Sequence, residues 1–350
     1  MSDLFNNVLK SNESLFLNEI ALDYEYLPPI IKFRESQQKH IATCIQPLLQ
    51  NRSGRNMIIL GSPGIGKSAA VRSVLREMES TSDEVRCIYL NCWKRDSGFK
   101  LICDLCEQLG YTWTHNKRMD ELVDVAVQLL NKKPAILVFD EVDKLEEQGI
   151  LYTLLEEVQK KSFILITNDA EFLVNLDQRV KSRLTPELLE FKSYKQDEVE
   201  GILKQRVEFA FVPNVFEEEY VNALAAKTFE GQDVRTGLYL LREAGLCAEN
   251  DASRKVLPKH VDSAVRKISD FKTKTIALLD EEERLVLKIA KENSGVETKD
   301  LFILYQKAGG SKGLRTFQRK VKDLVGANMI NVKESYAGGK SRIVDYLSPE

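Results

Sequence analysis

Residues 61–68 (GSPGIGKS) have the composition and spacing of a loop that binds the phosphates of a nucleotide. They follow a short apolar run and open a helical pattern, which is the context that the GxxxxGKS motif requires. The glycines let backbone N–H groups turn toward a phosphate, and the helix N-terminus adds a favourable dipole. Lys67 is placed to reach the β- and γ-phosphates, and Ser68 to ligate Mg²⁺. The sequence therefore predicts a site for ATP or ADP with Mg²⁺, contacted by Gly61, Ser62, Pro63, Gly64, Ile65, Gly66, Lys67, Ser68 and Ala69.

Two acidic residues end a second apolar run and supply further groups needed for phosphoryl transfer. Residues 137–141 read LVFDE, so Asp140 is predicted to hold Mg²⁺ and Glu141 to orient or activate the attacking water. Asn168 follows another apolar run, residues 163–167. Because ligands bind beyond the carboxyl ends of parallel strands, Asn168 is expected near the γ-phosphate. An apolar strand that ends in acids is common by itself, and its position after the P-loop favours the catalytic interpretation.

Short apolar runs alternate with helical patterns through the first half of the chain. Runs of this kind are typical of parallel strands that helices cover on both faces. The predicted strands are 57–60, 85–91, 135–140, 163–167 and 187–191, and the predicted helices include 36–50, 68–78, 99–109, 119–130 and 145–160. We therefore predict an α/β domain whose parallel sheet presents the phosphate site at one edge.

The pattern changes after residue 195, where strand signals disappear, and it changes again near residue 272. Residues 195–270 predict helices alone. The last segment predicts helices at 280–291, 298–307 and 313–325, followed by strands at 330–335 and 343–347. Three helices and a β-hairpin are the arrangement of a winged helix, which is related to the helix-turn-helix.

Basic residues are concentrated in the C-terminal segment. The whole chain has a formal net charge of −3, whereas residues 307–342 contain nine basic and two acidic residues. The predicted helix 313–325 has an apolar face formed by Leu314, Phe317, Val321 and Leu324. Basic side chains lie on another face, which favours salt-dependent DNA binding. The alternative is a protein-binding winged helix with a solvated basic face. The predicted DNA contacts are Lys312, Arg315, Thr316, Arg319, Lys320, Lys322, Lys340 and Arg342.

Composition excludes several classes of protein. The chain has 350 residues, of which 43% are hydrophobic and 29% charged, so it is long enough for two or three packed domains and is not typical of disorder. No apolar run approaches the roughly 18 residues of a membrane span, and the N-terminus lacks the pattern of a secretion signal. We expect a cytoplasmic, nucleoid-associated protein without membrane contact. The six cysteines are interpreted as core residues and the three histidines as non-catalytic.

On these motifs, residues 28–347 resemble the AAA+ ATPases, and more closely the archaeal origin-recognition and cell-division-control initiators of DNA replication. The P-loop and the run LVFDEVD are shared by all AAA+ proteins. Residues 167–184 (TNDAEFLVNLDQRVKSRL) and 231–245 (GQDVRTGLYLLREAG) are closer to the initiators. The resemblance implies an α/β AAA+ base at 1–193, an all-helical lid at 194–271 and a C-terminal winged-helix DNA-binding domain at 272–350.

The resemblance also implies roles for individual residues. Asn168 matches sensor 1, and Arg235 matches the sensor 2 arginine that lies over the phosphates. Gln232 stands where the family has Gly directly before the Asp. Arg183, or in second place Arg179, falls in the region that faces a neighbouring subunit's nucleotide, and Arg183 is the expected arginine finger. The alternative is that both are ordinary exposed arginines.

The same resemblance assigns an adenine pocket. Phe33 and Arg34 belong to the segment that lines this pocket, and Tyr194 and Ile202 resemble lid residues that pack on the base. Plain core packing is an equal alternative for Tyr194 and Ile202.

The expected function is that of an ATP-dependent replication initiator, a weak ATPase that binds double-stranded origin DNA. ATP binding and slow hydrolysis would act as a switch for recruiting the replicative helicase, alongside paralogous initiator subunits. Lys94 and Arg95 fall in an insertion that contacts DNA in the family, with a solvated loop as the alternative. The competing hypothesis is a signalling or mobile-element AAA+ ATPase whose winged helix binds protein. A clamp-loader subunit is disfavoured because the chain is predicted to end in a hairpin.

Overall fold

The computed structural model describes residues 14–327, 329–335 and 341–346. Within these residues the chain forms two compact units. One unit comprises Asp23–Gln205 and Gln232–Arg235, and the other comprises the remaining described residues. The first unit contains the predicted phosphate site, and the second contains most of the predicted lid and the C-terminal segment.

The first unit is built on a parallel sheet of five strands in the order β2-β3-β4-β1-β5. The strands are β1 (Met57–Leu60), β2 (Arg86–Asn91), β3 (Ala135–Asp140), β4 (Lys161–Thr167) and β5 (Glu187–Glu190). Strand β3 is buried along its whole length and β4 nearly so, as expected for a covered parallel sheet. Leu60 pairs with Thr167, and Asn91 pairs with Asp140. The carboxyl ends of these strands therefore share one edge of the sheet.

Helices connect these strands and complete the first unit. They are α1 (Glu35–Ile45), α2 (Lys67–Thr81), α3 (Gly98–Gln108), α4 (Met119–Leu130), α5 (Gly149–Glu157), α6 (Phe172–Asn175), α7 (Gln178–Leu184) and α8 (Gln196–Ala210), of which α8 leads out of the unit. The rings of Phe139 and Phe163 stack in the core, with centroids 5.4 Å apart. The helix predicted at 145–160 is shorter, because a 3-10 turn at Val142–Lys144 and a loop precede α5.

Helices alone follow the first unit, as the sequence predicts. They are α9 (Glu218–Gly231), α10 (Val234–Asn250) and α11 (Pro258–Leu278). Gly245 allows α10 to approach two rings closely, since a Cβ there would lie 2.6 Å from Phe211 and 2.7 Å from Phe16. Helix α11 continues past the predicted domain boundary at residue 271. Along the described chain, every helix is too short or too polar to span a lipid bilayer.

The C-terminal segment contains three helices and a small antiparallel sheet. The helices are α12 (Glu281–Glu292), α13 (Thr298–Lys307) and α14 (Leu314–Gly326), and the strands β6 (Val296–Glu297), β7 (Ile330–Ser335) and β8 (Ser341–Tyr346) pair in the order β6-β8-β7. Tyr305, Phe317 and Val344 lie in the core of this segment. Asp280 caps α12 through a capping box with Glu283. These elements, in this order, are those of a winged helix.

One residue of the predicted apolar face of α14 is misplaced. Leu314 is 47% exposed, whereas Phe317, Val321 and Leu324 are buried. Leu314 is the first residue of the helix, and helical side chains lean toward the N-terminus. Its side chain therefore lies beyond the packed part of the helix. The apolar face is therefore buried at Phe317, Val321 and Leu324 but not at Leu314.

Candidate nucleotide-binding site

The predicted phosphate loop lies between the end of β1 and the first turn of α2, at the carboxyl edge of the sheet. Gly64 and Gly66 have φ angles of 71° and 87°, in the left-handed region that residues with a Cβ rarely adopt. Space is restricted as well, because a Cβ at Gly66 would lie 2.6 Å from the Tyr194 hydroxyl. Helix α2 begins at Lys67, so the unpaired N–H groups of its first turn are directed toward the loop.

Lys67 is buried beneath this loop, with 6% of its surface exposed. Its ammonium donates hydrogen bonds to the carbonyl oxygens of Gly61 and Ser62, each at 2.7 Å, and to Asn168 Oδ1 at 2.6 Å. Burial lowers the pKa of Lys67 to about 8, and the nearby Asp140 carboxylate opposes this shift. The structure therefore brings Lys67 and Asn168, which were predicted from separate motifs, into direct contact.

Asp140 ends β3 and is 5% exposed. One of its carboxylate oxygens accepts a hydrogen bond from the backbone N–H of Glu141 at 2.9 Å, and the other accepts one from the Tyr89 hydroxyl. The Ser68 side chain lies near the Tyr89 hydroxyl. Ser68 and Asp140 thus offer hydroxyl and carboxylate oxygens in one place, and these are the ligands that Mg²⁺ prefers. The donor set fits the predicted metal.

Tyr89 was not predicted from the sequence, although its hydroxyl binds the predicted Mg²⁺ ligand Asp140. Burial, reinforced by Asp140, raises the pKa of Tyr89, so the phenol stays protonated and can donate. The Arg72 guanidinium lies 4.5 Å from the centre of its ring. The signal that could have identified Tyr89 is the pairing of β2 with β3. In that pairing Tyr89 lies opposite Val138, two residues before Asp140.

Glu141 follows Asp140 in a left-handed backbone conformation, with φ 54° and ψ 42°. Residues other than glycine adopt this conformation rarely, and such strain is concentrated at functional sites. Burial, together with the charges of Asp140 and Asp143, raises the pKa of Glu141 above its ordinary value. A carboxylate with a raised pKa is the better proton acceptor.

The predicted adenine-pocket residues also meet beside the P-loop. Arg34 is buried, and its guanidinium donates to the carbonyl of Ile65 at 3.0 Å and to that of Lys192 at 2.8 Å. It also lies 3.8 Å from the centre of the Tyr194 ring. The Phe33 ring packs against Gly201 of α8, where a Cβ would lie 2.7 Å away. Arg34 therefore ties the loop to the segment that leads into α8.

Ile202 is 8% exposed and follows Gly201 directly in α8. Tyr194 is 7% exposed, and its hydroxyl faces Gly66 of the P-loop. Both side chains are therefore buried, as the core-packing alternative requires, and Tyr194 also lies beside the loop. Their contact with an adenine base stays a prediction.

Arg235 lies next to the P-loop but is paired within its own segment. Its guanidinium forms two parallel hydrogen bonds with Asp233, at 3.0 Å and 2.6 Å. Asp233 is packed so closely on Gly64 that a Cβ there would lie 1.9 Å from its carboxylate. Gln232 has a φ of 54°, which explains why a glycine suits this position in the resembled family. The role of Arg235 as a sensor 2 residue over the phosphates stays a prediction.

The candidate arginine finger lies on α7 and contacts α5. The Arg183 guanidinium is 2.8 Å from Glu156 and 5.3 Å from the centre of the Tyr152 ring. Arg179 is 5.7 Å from the same ring centre and pairs with Asp177 at 3.2 Å. Both arginines are exposed, with 45% and 74% of their side chains accessible. The role of either residue toward a neighbouring subunit stays a prediction.

The two predicted DNA contacts of the first unit are exposed and paired with acids. Lys94 lies 3.2 Å from Glu25, and Arg95 lies 3.5 Å from Asp104. Trp93, directly before them, is 64% exposed, and the Lys144 ammonium lies 5.5 Å from the centre of its ring. Surface ion pairs of this kind contribute little to stability, so the side chains of Lys94 and Arg95 are both accessible to a competing phosphate.

The basic face of α14 is largely as predicted, with one correction. The exposed members are Lys312, Arg315, Arg319 and Lys322 with Arg342 of β8, while Thr316 is half-buried and Lys340 lies outside the described residues. Lys320 differs, because its side chain is 13% exposed and its ammonium contacts Asp280 and, at 2.8 Å, Glu283. The structure therefore uses Lys320 to join α14 to the start of α12, and the expectation that it lies on the exposed face is wrong.

Two family models match the chain, an AAA ATPase domain over residues 31–166 and a Cdc6 AAA+ ATPase-type lid domain over residues 200–266. The chain is 30% identical over 357 residues to the ORC1-type DNA replication protein 2 of Methanothermobacter thermautotrophicus, covering 97% of this chain and 93% of that protein. This chain belongs to the ORC1-type DNA replication proteins. A second ORC1-type relative, DNA replication protein 1 of Sulfurisphaera tokodaii, is 30% identical over 347 residues, covering 93% of this chain and 87% of that protein.

Two solved structures of Aeropyrum pernix proteins share this fold. The Aeropyrum pernix ORC1 protein, whose structure is a complex with DNA, is 26% identical with a TM-score of 0.70, covering 97% of this chain and 95% of that chain. The Aeropyrum pernix ORC2 protein, solved as ADPNP and ADP complexes, is 19% identical with a TM-score of 0.72, covering 96% and 95%. The predicted resemblance and the AAA+ fold class are thus confirmed.

Proposed function

We propose that this ORC1-type protein initiates DNA replication by binding origin duplex and that ATP binding and slow hydrolysis control its activity. The observation that carries the proposal is the convergence of Lys67, Asn168 and Asp140 at the carboxyl edge of the sheet, in a chain of this family. The exposed basic residues of α14 supply the second requirement, a surface for phosphates.

The residues of the site divide the work of ATP hydrolysis among them. Lys67 and Arg235 stabilise negative charge on the phosphoryl oxygens. Asn168 orients the attacking water, and Glu141 accepts its proton. Ser68 and Asp140 would hold Mg²⁺, which neutralises charge on the β- and γ-phosphates. Arg183 would act on the nucleotide of a neighbouring subunit, so hydrolysis by an isolated chain should be weak.

Internal pairing of both cations supports a switch. Lys67 donates to Asn168 and to two loop carbonyls, and Arg235 is held by Asp233. A triphosphate must compete with these acceptors, so nucleotide binding rearranges the contacts between the P-loop and the start of α10. A ligand shifts a conformational equilibrium only through such differential contacts.

DNA binding is assigned to the winged helix. Arg315 and Arg319 lie four residues apart on α14 and are both exposed, so they share one face. The Aeropyrum pernix ORC1 protein was solved in complex with DNA, and its likeness to this chain supports the same ligand. Paralogous initiator subunits and the replicative helicase are the proposed protein partners, and binding at the origin places the protein at the nucleoid.

The test uses the intact chain and a labelled duplex in a fluorescence anisotropy titration across a salt series, with ADP and with ATP. We expect steep salt dependence that is reduced in an Arg315→Gln/Arg319→Gln variant. Lys67→Ala should lose nucleotide binding and, with it, any difference between the two nucleotides. Unchanged ATP retention by Lys67→Ala contradicts the site assignment. Absence of DNA binding at low salt favours the alternative of a protein-binding winged helix.

A further inference from the structure

A second group of ligand-type side chains lies at the opposite end of the sheet from the P-loop. His40 and Cys44 are four residues apart in α1, and Glu187 is the first residue of β5. Glu187 pairs with Met57, the first residue of β1. The phosphate loop follows the last residue of β1, about 10 Å farther along the strand. The group is therefore separate from the nucleotide site.

The three side chains converge on one point. His40 Nε2 lies 2.9 Å from Glu187 Oε2, and Cys44 Sγ lies 3.5 Å from the same oxygen. One ligand atom from each residue can be chosen so that all three lie within 4.8 Å of one another. Neighbouring ligands of a tetrahedral Zn²⁺ are about 3.3 to 3.8 Å apart, given bond lengths of about 2.0 to 2.3 Å. The spacing is close to that required.

The surroundings of the His40 and Cys44 side chains are also consistent with metal binding. His40 Nε2 is shielded from solvent and makes no hydrogen bond among the described residues, although a carboxylate oxygen is beside it. Cys44 is completely buried. The His40 ring is 42% exposed, so an ion has a path from solvent. A solvent-facing position would remain for water as a fourth ligand.

Arg55 provides an outer contact. Its guanidinium binds Glu187 Oε1, which leaves Oε2 directed at His40 and Cys44. Carboxylates that ligate metals are commonly hydrogen-bonded in this way, and the partner fixes their orientation. The nitrogen donor of His40 and the sulfur donor of Cys44 favour a transition metal over Ca²⁺ or Mg²⁺, which take oxygen ligands.

We propose that His40, Cys44 and Glu187 bind a divalent transition-metal ion, with Zn²⁺ as the preferred ion, at the end of the sheet opposite the P-loop. Binding replaces the Cys44 S–H bond with an S–metal bond and releases that proton to solvent. The imidazole of His40 contributes a nitrogen lone pair, and Glu187 contributes Oε2. Such a site would tie α1 to β5, the two elements that flank this end of the sheet.

The test is a titration of the intact, metal-stripped chain with Co²⁺, a spectroscopic substitute for Zn²⁺. We expect one equivalent to give thiolate-to-cobalt charge-transfer absorption, which Zn²⁺ then removes by displacement. Cys44→Ser should abolish that absorption, and His40→Gln should weaken Co²⁺ binding about 100-fold. His40→Gln changes a partly exposed side chain, so it keeps the test valid if Cys44→Ser fails to fold.

The matched control is Cys103→Ser/Cys106→Ser, which removes the closely spaced thiol pair of α3 and should leave Co²⁺ binding unchanged. Ions bound at Ser68 and Asp140 have oxygen ligands and give no thiolate absorption, so they do not confuse the result. Lack of thiolate absorption in the wild type overturns the proposal. Absorption that persists in Cys44→Ser and disappears in the α3 variant overturns it as well.

Discussion

Two adjacent basic residues of α14, Arg319 and Lys320, should have different effects when each is changed alone. We expect the change at Arg319 to weaken DNA binding and the change at Lys320 to lower stability. Arg319 is exposed, whereas the Lys320 side chain is 13% exposed and pairs with Asp280 and Glu283. Sequence reasoning treats both as DNA contacts. The structure gives them different tasks, so Arg319→Gln and Lys320→Met form a matched pair in which each variant is the control for the other.

The cost of Lys320→Met follows from its two ion pairs. A hydrogen bond between charged groups contributes about 1.5–3 kcal/mol. The Asp280 side chain is 52% exposed and that of Glu283 is 17% exposed, so the contact with Asp280 is discounted for solvent screening. A local loss of about 2 kcal/mol results, which corresponds to roughly 30-fold faster exchange of amide hydrogens in α12–α14. Hydrogen exchange with mass spectrometry on the intact chain measures this directly.

The same pair also predicts a pH dependence. The Lys320 ammonium, through its hydrogen bond, holds the pKa of Asp280 below its usual range. A depressed carboxyl pKa gives stability that is present above the unfolded value of about 3.9 and is lost as the pH falls through the folded pKa. The difference in exchange rate between wild type and Lys320→Met should therefore shrink in that acidic range.

Arg319→Gln should weaken DNA binding without changing the rate of hydrogen exchange. Loss of one phosphate contact lowers the slope of log affinity against log salt by about 1 and weakens duplex binding at low salt. Exchange in α12–α14 should stay at the wild-type rate. The reasoning is refuted if Lys320→Met leaves exchange unchanged while it weakens DNA binding as much as Arg319→Gln does.

Three further changes test the first unit. Tyr89→Phe removes the hydroxyl that binds Asp140 and should raise the Mg²⁺ concentration needed for half-maximal ATP binding about tenfold; an equal effect of Tyr152→Phe would contradict this. Glu141→Gln should retain ATP and lower turnover at least about 100-fold, measured as phosphate release. Thr185→Gly should raise the free energy of unfolding by about 1 kcal/mol in urea titrations, because Thr185 has a φ of 35° at the end of α7.

The nucleotide site was predictable because its residues are fixed by local sequence and strand ends. A P-loop needs its glycines at fixed spacings within one short segment. Asp140 is the last residue of β3, and Asn168, which binds Lys67, directly follows β4. Tyr89 was missed because its contact crosses between β2 and β3, and no local pattern records which side chain reaches across. The Asp233 contact with Gly64 was missed for the same reason.

The winged helix shows a different limit of sequence reasoning. Helical periodicity separates an apolar face from a charged one, but it cannot tell which charged residue lies beside a neighbouring helix. Lys320 lies at the edge of the apolar face, next to the buried residues Phe317 and Val321. The acidic residues at the start of α12, Asp280 and Glu283, pack against this edge and pair with Lys320. The capping box of Asp280 and Glu283 is local in sequence, whereas the pairing of these residues with α14 requires the packing of the two helices.

The two cationic side chains of the nucleotide site, Arg235 and Lys67, have one feature in common. Each cation is held by acceptors from this chain: Asp233 for Arg235, and Asn168 with the Gly61 and Ser62 carbonyls for Lys67. In the proposed switch, a triphosphate offers acceptors to both cations at once, whereas a diphosphate lacks the γ-phosphate. The difference between ATP and ADP is therefore a difference in how many of these contacts are exchanged. Since Asp233 rests on Gly64 and directly precedes α10, that exchange occurs beside the first residues of α10.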